Sequence, residues 1–278
     1  MAMVLVMGLL AVTVGFGAGC RAKPVVLGVV PVSGIDNLSL EVAPLAQALA
    51  ASLKQEVIPR VYMSNGQLIE ALGSGECDMA VLPAFAYAVA HDRYGANVVL
   101  RGLHGGLDAL RYEFLTRPDT GIVTPSQLAA AKIALPAADG TPEQQYVLTF
   151  LKRYGAGGKT VSVADDQAAF AALIARTVDV AVVSYGFRDR LRPAMPDIDA
   201  KVQLVWVSDA IPFEAVAVAR GAKASPAAIQ QAWLALAGQP AFVPALRALY
   251  GIDGLIPGAD ADYAPAREAV QALGIQIR

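Results

Sequence analysis

Apolar and polar residues follow two patterns that alternate along most of the chain. Short runs of consecutive apolar residues are typical of strands buried on both faces, and apolar residues at helical spacing are typical of helices. The predicted strands cover residues 25–32, 56–63, 78–82, 97–103, 110–116, 132–136, 160–164, 178–183, 202–207 and 214–219. The predicted helices begin near residues 40, 64, 85, 124, 141, 165, 225, 240 and 263. This alternation predicts an α/β fold with two mainly parallel sheets covered on both faces.

The order of these elements predicts two lobes. One α/β unit ends near residue 114, a second ends near residue 207, and the chain then returns to the first unit. The expected parts are a signal peptide (1–20), the first part of lobe 1 (21–114), lobe 2 (115–208), and a return to lobe 1 with the C-terminal helices (209–278). Two crossings between the lobes form a hinge, and a ligand is expected in the interlobe cleft near the carboxyl ends of the strands.

Composition narrows the class of protein. Of the 278 residues, 55% are hydrophobic and only 17% are charged, which excludes a disordered chain. The 22 basic residues are balanced by 24 acidic ones and form no basic run, so no nucleic-acid partner is predicted.

Part of the apolar excess lies at the N-terminus. Residues 1–19 carry no charge and end in Gly17-Ala18-Gly19, directly before Cys20. This ending resembles the lipobox of bacterial lipoproteins, which implies lipidation of Cys20 and a lipid-anchored protein in the periplasm or on the outer face of the cell membrane. An ordinary cleaved signal peptide and a retained membrane anchor are the alternatives.

The second cysteine, Cys77, has no disulfide partner if Cys20 is lipidated. Its neighbours form a predicted strand that enters the core, so it is expected to be a small buried hydrophobe. A functional thiol is the alternative interpretation.

Several segments together resemble one family, the phosphate/phosphite/phosphonate ABC-transporter substrate-binding proteins. They are NGQLIEAL (65–72) with GECDMA (75–80), PAFAYAVAH (83–91), DTGIVTPSQL (119–128), VDVA (178–181) and DAIPFEAVAV (209–218). The resemblance implies the two-lobed periplasmic-binding-protein-like (type II) fold. It also implies a monomer that catalyses no reaction, uses no cofactor, captures a small oxyanion by closing its cleft, and has an ABC permease as partner.

The expected ligand site follows from the chemistry of oxyanions. Helix N-termini supply unpaired N–H groups and partial positive charge, and serine and threonine hydroxyls add donors. Loop-to-helix starts of this kind occur at 33–34, 64–66 and 140–141. The full set of predicted ligand-binding residues is Ser33, Ser64, Asn65, Gly66, Phe85, Tyr87, Asp139, Gly140, Thr141, Asp165, Asp166 and Tyr185.

Four segments depart from the family's pattern, one of which is Leu82-Pro83, where the family has an aromatic residue. Residues 139–142 read Asp-Gly-Thr-Pro where the family commonly has Ser-Thr-Ser-Gly, and Phe213-Glu214 replaces Asn-Asp. Asp165 and Asp166 replace a Ser-His pair. They are expected to be helix N-caps, or alternatively to attract a cationic group such as the amine of an aminoalkylphosphonate.

A sensor and an enzyme are the two alternative classes of function. A periplasmic sensor could hold a thiophilic oxyanion such as arsenite through Cys77 and signal to a membrane partner. An enzyme is not predicted, because the sequence has no G-x-S-x-G, no P-loop and no G-x-G-x-x-G after a strand. His91 and His104 stand apart without metal-ligand spacing, so no metal site is predicted either.

Overall fold

The computed structural model describes residues 22–31, 38–136, 142–153, 155, 159–274 and 277. The strands are β1 (Val25–Val29), β2 (Val57–Val61), β3 (Met79–Leu82), β4 (Asn97–Leu103), β5 (Ala109–Leu110), β6 (Tyr112–Thr116), β7 (Lys132–Leu135), β8 (Lys159–Ser162), β9 (Val180–Ser184), β10 (Gln203–Val207), β11 (Ile211–Pro212), β12 (Ala215–Val218) and β13 (Gly254–Pro257). The helices are α1 (Leu38–Leu53), α2 (Asn65–Ser74), α3 (Ala84–Tyr94), α4 (Pro142–Arg153), α5 (Asp166–Ile174), α6 (Phe187–Leu191), α7 (Ile198–Lys201), α8 (Pro226–Ala237), α9 (Val243–Tyr250) and α10 (Ala264–Leu273).

Two sheets confirm the predicted α/β fold class. The first has the order β13-β4-β12-β3-β1-β2, and the second has the order β10-β6-β9-β7-β8. Strands β1 to β4 run in one direction, with β12 and β13 antiparallel to them. In the second sheet β7 to β10 share a direction and β6 opposes them. The sheets are therefore mixed, with most strands in one direction.

The two sheets are joined through a short antiparallel pair, β5 with β11. Strand β5 follows β4 on the way into the second sheet, and β11 follows β10 on the way back. The predicted strand at 110–116 is thus two strands in different sheets, divided at Arg111. Strands β11 and β13 and helices α6 and α7 were not predicted. The helix predicted to begin near residue 124 is a short 3-10 helix, Pro125–Ala130.

The strands made of consecutive apolar residues lie in the core, as their sequence pattern predicts. Strands β1 and β3 are buried along their whole length, because helices cover both faces of the first sheet. Trp233 of α8 is fully buried in the core cluster of the first sheet. Trp206 of β10 is half-buried in the second sheet, where it packs on Phe150 of α4 with ring centroids 5.9 Å apart. Within the described part of the chain, which excludes residues 1–21, no helix is long and apolar enough to span a membrane.

One buried carboxylate ties the first sheet together. Asp78, directly before β3, is 1% exposed and accepts the Val26 N–H at 2.7 Å. It also accepts the Lys223 backbone N–H at 2.8 Å and pairs with the Lys223 ammonium at 2.7 Å. The aspartate of the GECDMA segment therefore holds β1, β3 and the approach to α8 in register.

Candidate functional site

The candidate site lies where parallel strands end. In the first sheet the carboxyl ends of β1 to β4 lie at one edge, and β4 leads from that edge into β5. In the second sheet the carboxyl ends of β7 to β10 lie at one edge, and β10 leads from it into β11. Both edges therefore adjoin the crossing pair, which is where a cleft between two α/β lobes binds its ligand.

A cavity of about 610 Å³ opens at this edge of the first sheet. Its walls come from the ends of β1, β3 and β4, the start of α2 and the end of α9. The lining residues are Val30, Pro31, Asn65, Val81, Pro83, His104, Glu214, Arg247, Ala248, Leu249, Tyr250 and Gly251. Of the predicted ligand-binding residues, Asn65 lines this cavity.

Sequence reasoning missed an acid–imidazole pair in this wall. His104 Nε2 lies 2.6 Å from Glu214 Oε2, and the imidazole stacks on the Phe213 ring with centroids 4.0 Å apart. The pair joins residues 110 positions apart, so no local pattern indicates it. The one available signal was the position of each residue relative to its strand. His104 follows β4 and Glu214 precedes β12, and these two strands are antiparallel neighbours.

The basic group of the cavity is already paired. The Arg247 guanidinium donates to Asp253 Oδ1, and the Gly105 N–H donates to the other oxygen of the same carboxylate. The Gly105 N–H and then the Arg247 guanidinium lower the pKa of Asp253. These hydrogen bonds to Asp253 hold the end of α9 against the turn that follows β4.

The start of α2 has the predicted capping arrangement. Ser64 is the N-cap, and its hydroxyl accepts the Gln67 N–H at 3.3 Å. The Gln67 side chain returns to accept the Met63 N–H at 3.0 Å, one residue earlier than in a standard capping box. Asn65 and Gly66 then form the first turn of α2, with its partial positive charge beside the cavity.

Phe85 and Tyr87 lie in the core rather than at the strand ends. The Phe85 ring is buried and faces Tyr146 of α4, with centroids 6.5 Å apart. Tyr87 is fully buried; its hydroxyl donates to Asp260 Oδ1 at 3.0 Å and accepts the Val98 N–H at 3.2 Å. Burial and then the Asp260 charge raise the Tyr87 pKa. Tyr87 is thus a packing residue in this structure.

The second lobe brings Asp165, Asp166 and Tyr185 to one edge. Asp165 is the N-cap of α5, where its Oδ1 accepts the Ala168 N–H at 2.8 Å. Asp166 Oδ2 accepts the Ser184 N–H at 3.1 Å, which ties the start of α5 to the end of β9. Asp165 is therefore the N-cap that the sequence predicts, whereas Asp166 is the first residue of α5 and binds the backbone of β9 instead.

Tyr185 is the most exposed aromatic residue at this edge. It is 45% exposed, its N–H donates to the Arg111 carbonyl at 2.9 Å, and the Arg111 guanidinium carbon lies 5.9 Å from the centre of its ring. Phe187, two residues further, is buried and packs on Phe170 at 5.7 Å. Tyr185 is thus available to a ligand, and Phe187 belongs to the core.

Five predicted residues lie outside the described residues. They are Cys20, Ser33, Asp139, Gly140 and Thr141.

The Cys77 thiol is closed to a ligand. It is fully buried, its Sγ–H donates to the Met79 carbonyl at 3.2 Å, and burial raises its pKa to about 12. The small-hydrophobe interpretation is confirmed, and a thiophilic oxyanion has no access to this sulfur in the folded protein. Among the described residues, no group of three or more His, Cys, Asp or Glu could hold a metal ion.

Solved structures share this fold at low sequence identity. XAC2383 from Xanthomonas citri, bound to chloride ion, is 19% identical with a TM-score of 0.58, over 90% of this chain and 99% of its own. PhnD1 from Prochlorococcus marinus, in complex with methylphosphonate, is 12% identical with a TM-score of 0.52, over 91% and 99%. A putative sulfonate-binding SsuA from Methylobacillus flagellatus is 17% identical with a TM-score of 0.51, over 91% and 87%.

Sequence comparison assigns the family directly. No curated protein matches the chain by sequence. The profile described as "ABC transporter, phosphonate, periplasmic substrate-binding protein" matches residues 27–263, which span both sheets and the crossings between them. The chain therefore belongs to the family of periplasmic substrate-binding proteins of phosphonate ABC transporters.

Proposed function

We propose that this protein is the substrate-binding lipoprotein of an ABC importer that captures a small oxyanion of phosphonate, phosphate or phosphite type. The family match over residues 27–263 carries the proposal. The ligand binds at the facing edges of the two sheets and the lobes close over it, so no covalent bond is made or broken. The closed form is the state that the permease recognises.

The α2 N-terminus is the proposed anion subsite of lobe 1. Asn65 lines the cavity, and the first turn of α2 begins beside it. The N–H groups of a first helical turn have no helical acceptor, so they bind anions without a fixed cation. Gly66 permits close approach of backbone to ligand, and Ser33 is proposed to add a hydroxyl from the loop after β1.

Lobe 2 is proposed to complete the site. Asp139, Gly140 and Thr141 after β7 and Tyr185 after β9 are the candidates, because the strands that precede them end at the same edge. The cap bond of Asp165 and the bond of Asp166 to the Ser184 N–H favour structural roles for both carboxylates over the direct binding of a ligand amine.

Thermal shift tests the function. We expect methylphosphonate, phosphite or phosphate at millimolar excess to raise the melting temperature, because a ligand that binds only the native state stabilises it. Methanesulfonate and sodium chloride at equal ionic strength are the matched controls. Absence of a shift with all three phosphorus oxyanions would overturn the proposal.

Attachment through Cys20 is a separate proposal. In cells grown with a radioactive fatty acid, we expect the full chain to be labelled and the Cys20→Ser variant to remain unlabelled. Equal labelling of the two would exclude Cys20 as the anchor.

A further inference from the structure

We propose that Arg111 is an anion-binding residue of the second lobe and donates charge-assisted hydrogen bonds to the ligand oxyanion. This inference rests on the proposed function and adds a cation to a site expected to rely on helix N-termini and hydroxyls. Arg111 stands between β5 of the crossing pair and β6 of the second sheet. It is therefore at the hinge end of lobe 2, on the sheet edge where β7 to β10 end.

Backbone pairing fixes this position. Strand β6 runs antiparallel to β9, with Tyr112 opposite Ser184. The next pair outward is Arg111 and Tyr185, joined by the hydrogen bond from the Tyr185 N–H to the Arg111 carbonyl at 2.9 Å. The two residues thus extend the ladder past the end of β9, towards the cleft.

The side chain is held in a suitable orientation. The guanidinium carbon lies 5.9 Å from the centre of the Tyr185 ring, within the range of a cation–π contact. A single ring contact engages one part of the guanidinium, and its five N–H donors leave others for a ligand. Arg111 is half-buried, so its charge is less screened than that of a fully exposed arginine.

The charge has no acidic partner among the described residues. Glu113, two residues along the chain, is buried and accepts the Gly186 N–H at 3.0 Å through Oε1, while its Oε2 has no hydrogen-bond partner among the described residues. Asp166 lies 3.8 Å from the Arg190 guanidinium. A half-buried guanidinium without a carboxylate at a ligand-facing edge fits an anion supplied from solution. Its fork of donors matches two oxygens of one phosphonate or phosphate group.

Isothermal titration calorimetry with methylphosphonate, phosphite and inorganic phosphate tests the inference. Arg111→Met is expected to weaken binding roughly 10- to 100-fold, the loss typical of a hydrogen bond to a charged group. Arg111→Lys keeps the positive charge but loses the paired N–H donors of the guanidinium, so its affinity should lie between those of the wild type and Arg111→Met. Arg220→Met is the matched control: Arg220 is exposed, follows β12 at the opposite edge of the first sheet, and should leave affinity unchanged.

The outcomes separate the two proposals. If the wild-type protein binds and Arg111→Met binds equally well, the Arg111 inference is wrong and the proposed function stands. If the wild-type protein binds none of the three probes, the proposed function fails and the inference fails with it. Melting temperatures of all variants are compared first. Should Arg111→Met be unfolded, Arg111→Lys decides, and wild-type affinity in that variant would overturn the inference.

Discussion

Asp78 and Asp179 make the same hydrogen bond in the two lobes. Asp78, directly before β3, accepts the Val26 N–H at the start of β1, and Asp179, directly before β9, accepts the Lys132 N–H at the start of β7. The distances are 2.7 Å and 2.9 Å. Each carboxylate fixes the register of two adjacent parallel strands.

The surrounding elements repeat in the same order. The series β1-α1-β2-α2-β3 corresponds to β7-α4-β8-α5-β9, and in both sheets the third strand of the series lies beside the first, which lies beside the second. Ser64 caps α2 and Asp165 caps α5, each accepting an N–H three residues later. The repeat places capped helix N-termini at both facing edges.

The two aspartates should differ in their contribution to stability. Asp78 is almost fully buried and paired with Lys223, whereas Asp179 is partly exposed. We expect Asp78→Asn to lower the free energy of unfolding by about 3 kcal/mol, because it leaves a charged lysine without its partner. Asp179→Asn should cost about 1 kcal/mol, the value of one hydrogen bond. Urea denaturation of each variant measures both, and an equal loss would contradict the buried-pair argument.

The sequence predicted the fold better than the site because its strongest patterns report burial. All-apolar strands and capped helix starts located most elements, and only short pieces were missed. One example is β13, Gly254–Pro257, whose terminal glycine and proline indicate a turn rather than a strand.

Ligand-facing residues carry no comparable pattern. Residues 84–90 of α3 are all buried. A run of this kind has no polar face, so its sequence does not distinguish side chains that face a ligand from side chains, such as Tyr87, that face the core. His104 and Glu214 meet only because the chain crosses between the sheets twice. Contacts of this kind depend on tertiary packing, which periodicity does not report.

Gly28 in the middle of β1 is required by close packing. A Cβ at this position would lie 2.7 Å from Cys77 Sγ and closer still to Leu68 Cδ1. We expect Gly28→Ala to lower the free energy of unfolding by about 1–3 kcal/mol through overpacking. Gly221→Ala is the control, because its Cβ would meet open space and should change stability by less than about 0.5 kcal/mol. Chemical denaturation compares the two, and equal stability would refute the packing argument.

Burial of Cys77 predicts both its reactivity and a pH effect. In a Cys20→Ser variant, the folded protein at pH 8 should react with Ellman's reagent at least about 100-fold more slowly than the unfolded chain in guanidinium chloride, because reaction needs local opening. Rapid stoichiometric reaction of the folded protein would contradict the burial.

The pH effect follows from the thiol pKa, which burial raises from 9.0 to about 12. The folded protein keeps the thiol proton where the unfolded chain loses it. This contribution to stability is therefore complete below pH 9 and is lost as the pH rises towards 12. Cys77→Ala should show a smaller loss of stability over this interval.

Arg153 links the two lobes outside the crossings. From α4 it donates to Asp209 Oδ2 at 2.9 Å, beside β11, and to Glu268 of α10. Because these side chains are largely exposed, Arg153→Met should cost only about 0.5–1 kcal/mol of stability. It should nevertheless accelerate amide exchange in both α4 and α10. Arg192→Met, which breaks pairs with Asp189 and Asp199 within lobe 2, should leave exchange in α10 unchanged.

Substitutions at Tyr87 and Tyr185 should have opposite effects on stability and on ligand binding. Tyr87→Phe removes the donor to Asp260 and leaves the Val98 N–H without its acceptor, so it should lower the free energy of unfolding by about 1–2 kcal/mol. Its Kd for methylphosphonate should not change, because the ring packs at 4.6 Å on the buried Tyr263, away from the cleft. Tyr185→Leu should have nearly wild-type stability, because Tyr185 is exposed, but should weaken binding by releasing Arg111. If Tyr87→Phe changed the Kd and left the stability unchanged, Tyr87 would have to contact the ligand directly, because a residue that only packs in the core affects binding through stability.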